Sequence, residues 1–172
     1  MSGTLRLQWC EDSGRSSELA LFFAENVTPA YISHSEMWGS RALGPDHWRV
    51  GLPEILRMEI EPRLSETHTQ SRSLDSQPIL VAEDDDGLLG ISFVTFKVSA
   101  PVPFSIVEDL IVLPSRRSAG VGAAIVDWIA REARERGILR MYLESGIHNE
   151  EAHRFFERVG FHPCSVVMMR AL

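Results

Sequence analysis

Apolar positions along this chain alternate between two spacings, and the changes from one to the other mark out its elements. Leu5 to Cys10 reads as a first strand, and Ser16 to Val27, apolar at Leu19, Phe22, Phe23 and Val27, has helical spacing with Pro29 just beyond its end. Ile32 to Trp48 carries Ile-Ser-His-Ser-Glu-Met-Trp-Gly-Ser-Arg and then Gly44-Pro45. Leu52 to Leu64 suits a second long helix through Ile55, Leu56, Ile60 and Leu64, and Ser65 to Gln77, rich in Ser, Thr, Gln and charge, reads as an exposed loop. Pro78 to Glu83 and Leu88 to Val98 are β-branched and aromatic runs parted by Asp84-Asp85-Asp86-Gly87, the pattern of a hairpin.

After Pro101-Val102-Pro103, the pattern predicts a strand from Phe104 to Leu113. A helix follows with Val121, Ala124, Ile125, Trp128 and Ile129 on one face, stopping near Gly137, so Trp128 belongs to the core. Ile138 to Leu143 reads as a strand, Asn149 to Val159 as a helix capped by Gly160, and Phe161 to Met169 as a final strand. The order β-α-α-β-β-β-α-β-α-β predicts an α/β fold, a mixed sheet with helices on both faces. With 172 residues, one domain over 1–172 is the expectation.

Bulk properties narrow the function classes. No run of 18 or more apolar residues is present, so no membrane partner is expected; no signal peptide is visible, and the cytoplasm is the simplest address. A formal net charge of −7 argues against a nucleic-acid partner and mildly favours a cationic substrate. Cys10 and Cys164 read as buried free thiols, and no Cys/His spacing suggests zinc. Glu83 to Gly87 lacks the spaced ligands of a calcium loop and reads as a turn, so no metal is expected.

The chemistry concentrates between Ile106 and Ile129. A strand runs through Pro114 into Arg117-Ser118-Ala119-Gly120-Val121-Gly122 and then a helix, an arrangement that points several unpaired N–H groups and the positive end of a helix dipole at one place. An anion fits there. A Walker loop would need Gly-Lys-Ser/Thr and a dinucleotide loop a third glycine, and both are missing.

Arg-x-x-Gly-x-Gly preceded by Glu108-Asp109-Leu110-Ile111-Val112-Leu113-Pro114 resembles the acetyl-CoA signature of the GNAT superfamily of N-acetyltransferases. Asn149, Ala152, Phe155, Gly160 and Phe161 match that family's second hallmark, with Phe156 where a Tyr is usual. The two motifs span Ile106 to Phe161. The resemblance implies a GNAT-like mixed, centrally splayed β-sheet, and a single N-acetyltransferase domain that takes acetyl-CoA as co-substrate and acetylates a small-molecule amine by direct attack. A homodimer is the superfamily's common state, and no motif here demonstrates one.

In that family's terms the pyrophosphate would lie on the N–H groups of Arg117, Ser118, Ala119, Gly120, Val121, Gly122 and Ala123, with Arg116 or Arg117 adding charge unless Arg116 is simply solvated. The pantetheine arm would pair with the edge of Leu110, Ile111 and Val112, facing Asn149, Phe155 and Phe156 across the splay. Phe155 reads equally well as core packing. Glu108, flanked by Ile106, Val107, Leu110 and Ile111, is the candidate base, working directly or through water, and the Leu110 N–H the candidate oxyanion donor. The competing reading of Glu108 is a strand carboxylate held in a salt bridge. Strict alternation would put Glu108 and Asp109 on opposite faces unless a bulge re-aims them.

A departing thiolate needs little help, so Phe156 does not bar catalysis; Tyr31, Tyr142, Ser145 and His148 are the alternative acids, and none is assigned. His34, Glu36 and Trp38, clustered with Ser35 and Arg41, are candidate acceptor contacts. The plainer reading packs Met37 and Trp38 into the core. A non-catalytic acyl-CoA sensor and an enzyme acting on protein amino groups are the alternatives.

Overall fold

The computed structural model describes residues 3–65 and 74–172. Most of the expected loop from Ser65 to Gln77 lies outside the described residues. The chain forms two compact units, Met1–Val27 with Gly51–Glu144 and Thr28–Val50 with Ser145–Leu172.

The first unit is a five-stranded sheet in the order β1-β4-β5-β6-β7: β1 Arg6–Trp9, β4 Ile79–Asp84, β5 Gly87–Lys97, β6 Phe104–Val112 and β7 Met141–Leu143. All pairings are antiparallel except β6 with β7, which is parallel, so the sheet is mixed. The hairpin expected around the acidic triplet forms, its turn closed by Gly87 at φ 126°. That backbone angle is one an L side chain rarely adopts.

Helices cover both faces. α4 (Val121–Glu135) buries Ile125 and Ile129 against Leu80, Ala82, Val94, Phe96 and Val107, and each side chain so buried contributes about 1.5–3 kcal/mol. Trp128 packs edge-on against Trp9 with centroids 4.6 Å apart, as its helical register predicts. α1 (Ser16–Asn26) and α3 (Leu52–Ser65) pack on each other over the opposite face, where Phe23 meets Phe93.

The second unit holds α2 (His34–Trp38), a short ribbon of β2 (Ala42–Gly44) and β3 (His47–Trp48), and α5 (Glu150–Arg158). The strand expected from Phe161 to Met169 does not form. These residues are irregular, with Val166 and Met168 more than four-fifths exposed. β-propensity expresses itself only beside a partner strand, and the described strands of this unit are the two members of the small ribbon. Both cysteines are free, but only Cys10 is buried as expected, and burial pushes its thiol pKa up; Cys164 is exposed.

Candidate active site

Where β6 meets β7 the sheet opens. β7 matches β6 only at Ser105, Ile106 and Val107, and among the described residues no strand continues along that side from Glu108 to Val112. Leu110, Ile111 and Val112 therefore extend past the end of β7. The family resemblance expects a splay between strands at this place; the pairing shows that β7 ends here while β6 runs on.

β6 then passes through a single helical turn at Pro114–Arg116 into the glycine loop. Ser118 at φ 65° and Gly120 at φ 85° both take the left-handed conformation, and Gly120 is the N-cap of α4. The N–H groups of Arg117 and Ala119 are spent locally, on the carbonyls of Pro114 and Arg116. Those of Ser118, Gly120, Val121, Gly122 and Ala123 have no protein acceptor among the described residues. A left-handed residue on each side of Ala119 and the first turn of a 15-residue helix make an anion cradle. A Cβ added at Gly120 would have nothing within 4 Å, so the space above the loop is open to a ligand. These residues fit the pyrophosphate of a coenzyme A thioester.

The two arginines before the cradle are anchors. Arg116 is not simply solvated: it pairs with Asp84 at 3.4 Å and Asp86 at 3.5 Å, so the acidic turn between β4 and β5 grips the loop. Asp85 pairs with Arg6, and the Asp86 N–H donates to Asp84. Arg117 donates to the carbonyls of Val112 and Asn26, tying the loop to the end of β6 and the end of α1.

Glu108 occupies a β-bulge. The β5–β6 register pairs Phe93 with Asp109 but Val94 with Val107, which leaves Glu108 as the extra residue. Strict alternation therefore fails here. Asp109 stands opposite Phe93 on the α1–α3 face, and Glu108 reaches Thr95 and Arg63 on that same face instead of pointing away. One carboxylate oxygen accepts from the Thr95 hydroxyl, and the other pairs with Arg63 of α3, whose guanidinium also lies 5.3 Å from the centroid of Phe93. The Glu108 side chain keeps 27% of its surface exposed. The salt-bridge reading thus has an observed partner, and any proton transfer at Glu108 must share the carboxylate with Arg63.

Arg63 and Thr95 were not legible as site residues. They lie 45 and 13 positions from Glu108, and only packing brings them together. The remaining candidates belong to the second unit. Glu36 closes a capping box with Ser33, accepting from its N–H and hydroxyl at 2.7 Å each, and Arg41 stands 3.8 Å away, so this buried carboxylate already serves the start of α2. Trp38 is not in the core: it is 77% exposed, edge-on to His34 at 4.4 Å. Asn149 is the N-cap position of α5, and Phe156 lies between Phe155 and Phe161.

The fold and cradle define a class, and comparison with known proteins agrees with it. Residues 42–161 match the acetyltransferase (GNAT) family, and the chain belongs to that family. A 55-residue segment, 32% of this chain, is 34% identical to the aminoalkylphosphonate N-acetyltransferase of Salmonella typhimurium, spanning 36% of that protein's length. Among solved structures, an aminoglycoside N-acetyltransferase AAC(6')-Iy in complex with CoA superimposes with a TM-score of 0.69 at 14% identity, covering 100% of this chain and 97% of that one. A ribosomal-protein-alanine N-acetyltransferase from Brucella melitensis biovar Abortus 2308 gives 0.62 at 16% identity, covering 98% and 100%. At such identities the structural likeness speaks for the fold.

Proposed function

We propose that this chain, acting as one N-acetyltransferase domain over residues 1–172, transfers an acetyl group from acetyl-CoA to a primary amine of a small molecule. The observation that carries the reading is the continuity of one segment. β6 bears Glu108 at a bulge beside the opening of the sheet and leads directly into a loop of N–H groups that lack protein acceptors. The acetylated small amine of the Salmonella relative supports the acceptor class.

Acetyl-CoA, when bound, supplies an activated thioester carbonyl. The chain's own residues do the rest. Ser118, Gly120, Val121, Gly122 and Ala123 hold the pyrophosphate through N–H groups, and the edge of Leu110, Ile111 and Val112 takes the pantetheine arm, with the Leu110 N–H as oxyanion donor. Glu108 receives a proton from the incoming ammonium, directly or through water, because only the neutral amine attacks. No acid at position 156 is required, since a thiol of pKa about 8.5 leaves readily as the thiolate.

The test is thiol release from acetyl-CoA with aminoalkylphosphonates, aminoglycosides, polyamines, amino acids and lysine peptides, alongside acetyl-CoA binding. Glu108→Gln is expected to cut turnover by about a hundredfold or more while leaving acetyl-CoA affinity intact. Turnover only with lysine peptides would move the acceptor to protein. Tight acetyl-CoA binding without turnover would favour a sensor, the reading that Phe156 motivates, and failure to bind acetyl-CoA would overturn the proposal.

A further inference from the structure

We propose that Thr95 is the positioning residue of the candidate base: its hydroxyl sets where the Glu108 carboxylate stands. The inference rests on the reading of Glu108 given above. A bulged residue lies outside the regular ladder, so the strand alone does not dictate where its side chain points. Something else must hold it.

Thr95 is 3% exposed on β5, on the face it shares with Phe93. Its Oγ1 accepts from Gln77 Nε2 at 3.3 Å and bonds Glu108 Oε1. A hydroxyl has one proton. With Gln77 donating to the oxygen, and an ionised carboxylate able only to accept, that proton is committed to Glu108. Arg63 grips the other oxygen, Oε2, from α3.

These two contacts differ in what an arriving acceptor does to them. An ammonium and the Arg63 guanidinium are both cations drawn to the carboxylate, so the Arg63 pair must loosen or be shared as the amine approaches. The Thr95 bond involves no charge of its own and competes with no cation. Thr95 is therefore the contact that persists, keeping Oε1 in place while Oε2 exchanges partners. A misplacement of about 1 Å at a proton acceptor can cost on the order of a hundredfold in rate.

Thr95→Val removes the hydroxyl and keeps the shape; Thr95→Ser keeps the hydroxyl. Each is made in the native and the Glu108→Gln backgrounds, and kcat is measured by thiol release with whichever amine of the panel reacts fastest. Thr95→Val is expected to lower kcat about ten- to a hundredfold with acetyl-CoA Kd within about twofold, and Thr95→Ser to remain within about threefold of the native rate. In the Glu108→Gln background Thr95→Val should have no further effect. A crystal structure of Thr95→Val should show the carboxylate displaced from its place opposite β5.

An unchanged kcat in Thr95→Val, beside an impaired Glu108→Gln, would overturn the positioning role and leave Glu108 standing. Native turnover in Glu108→Gln, or no turnover with any amine, would overturn the reading underneath it. Should thermal melting show Thr95→Val unfolded, Thr95→Cys, similar in size with a much weaker donor, carries the same test and the same expectation of reduced kcat.

Discussion

Two glycines at opposite ends of α4 separate the work of the phosphate cradle from the demands of the fold. Gly120 (φ 85°) precedes the helix and Gly137 (φ 75°) follows it; both are left-handed, and at each an added Cβ would meet nothing within 4 Å. An L side chain in that conformation costs about 1–2 kcal/mol. The loss of unfolded-chain entropy on replacing glycine returns about 0.4–1 kcal/mol. Gly120→Ala and Gly137→Ala should therefore each lose about 1 kcal/mol, lowering Tm by about 2–4 °C for a chain of this size. Affinity for the cofactor should part them. If the backbone around Gly120 lies against a pyrophosphate, a methyl there keeps the anion off at least one N–H group. A hydrogen bond to a charged group is worth about 1.5–3 kcal/mol, or roughly a ten- to hundredfold change in Kd. Calorimetric titration of acetyl-CoA into both variants, with melting curves, is the assay. Equal affinities in Gly120→Ala and Gly137→Ala would refute the cradle, whatever either substitution does to stability.

Asp84→Asn keeps an acceptor for the Asp86 N–H but removes the charge that Arg116 meets, on a side chain only 2% exposed. It should cost about 1–2 kcal/mol in urea unfolding and weaken acetyl-CoA binding several-fold by loosening the loop; undiminished affinity would dissociate the acidic turn from the cradle. The Glu18 carboxyl is held below its ordinary pKa, chiefly by the hydrogen bond from Arg15, with burial opposing. A depressed folded pKa adds stability above the unfolded value and loses it as pH falls through the folded one. The pair's contribution should therefore be intact at neutral pH and fade below about pH 4. Glu18→Gln should flatten that acid limb in urea melts taken from pH 7 downward, and an unchanged slope would count against the pair.

Much of the cradle was legible because its ingredients are contiguous. Small residues after a strand and before an amphipathic helix announce the turn and the dipole, and Gly120 stands where the backbone turns left-handed. Contiguity also explains the hairpin over Asp84 to Gly87, whose turn residues lie between two apolar runs. The final strand was misread for the converse reason: Val166 to Met169 have β-propensity, yet a strand is a relation between two segments, and propensity says nothing about the second.

What the sequence determined by itself, then, is what local spacing encodes: the α/β class, the core face of α4, the turn of small residues that precedes it, and Glu108 as the carboxylate worth testing. Tertiary structure alone decided where that carboxylate points and what holds it. The bulge that turns Glu108 to the side of Asp109 is a mismatch of register between β5 and β6, and a register exists only once two strands have paired. Thr95, Arg63 and the Asp84–Arg116 tether reach their partners across 13, 45 and 32 positions, through a sheet and a helix that must first assemble. No periodicity in the chain records such distances, because they are closed by burial of the core rather than by any property of the residues that meet.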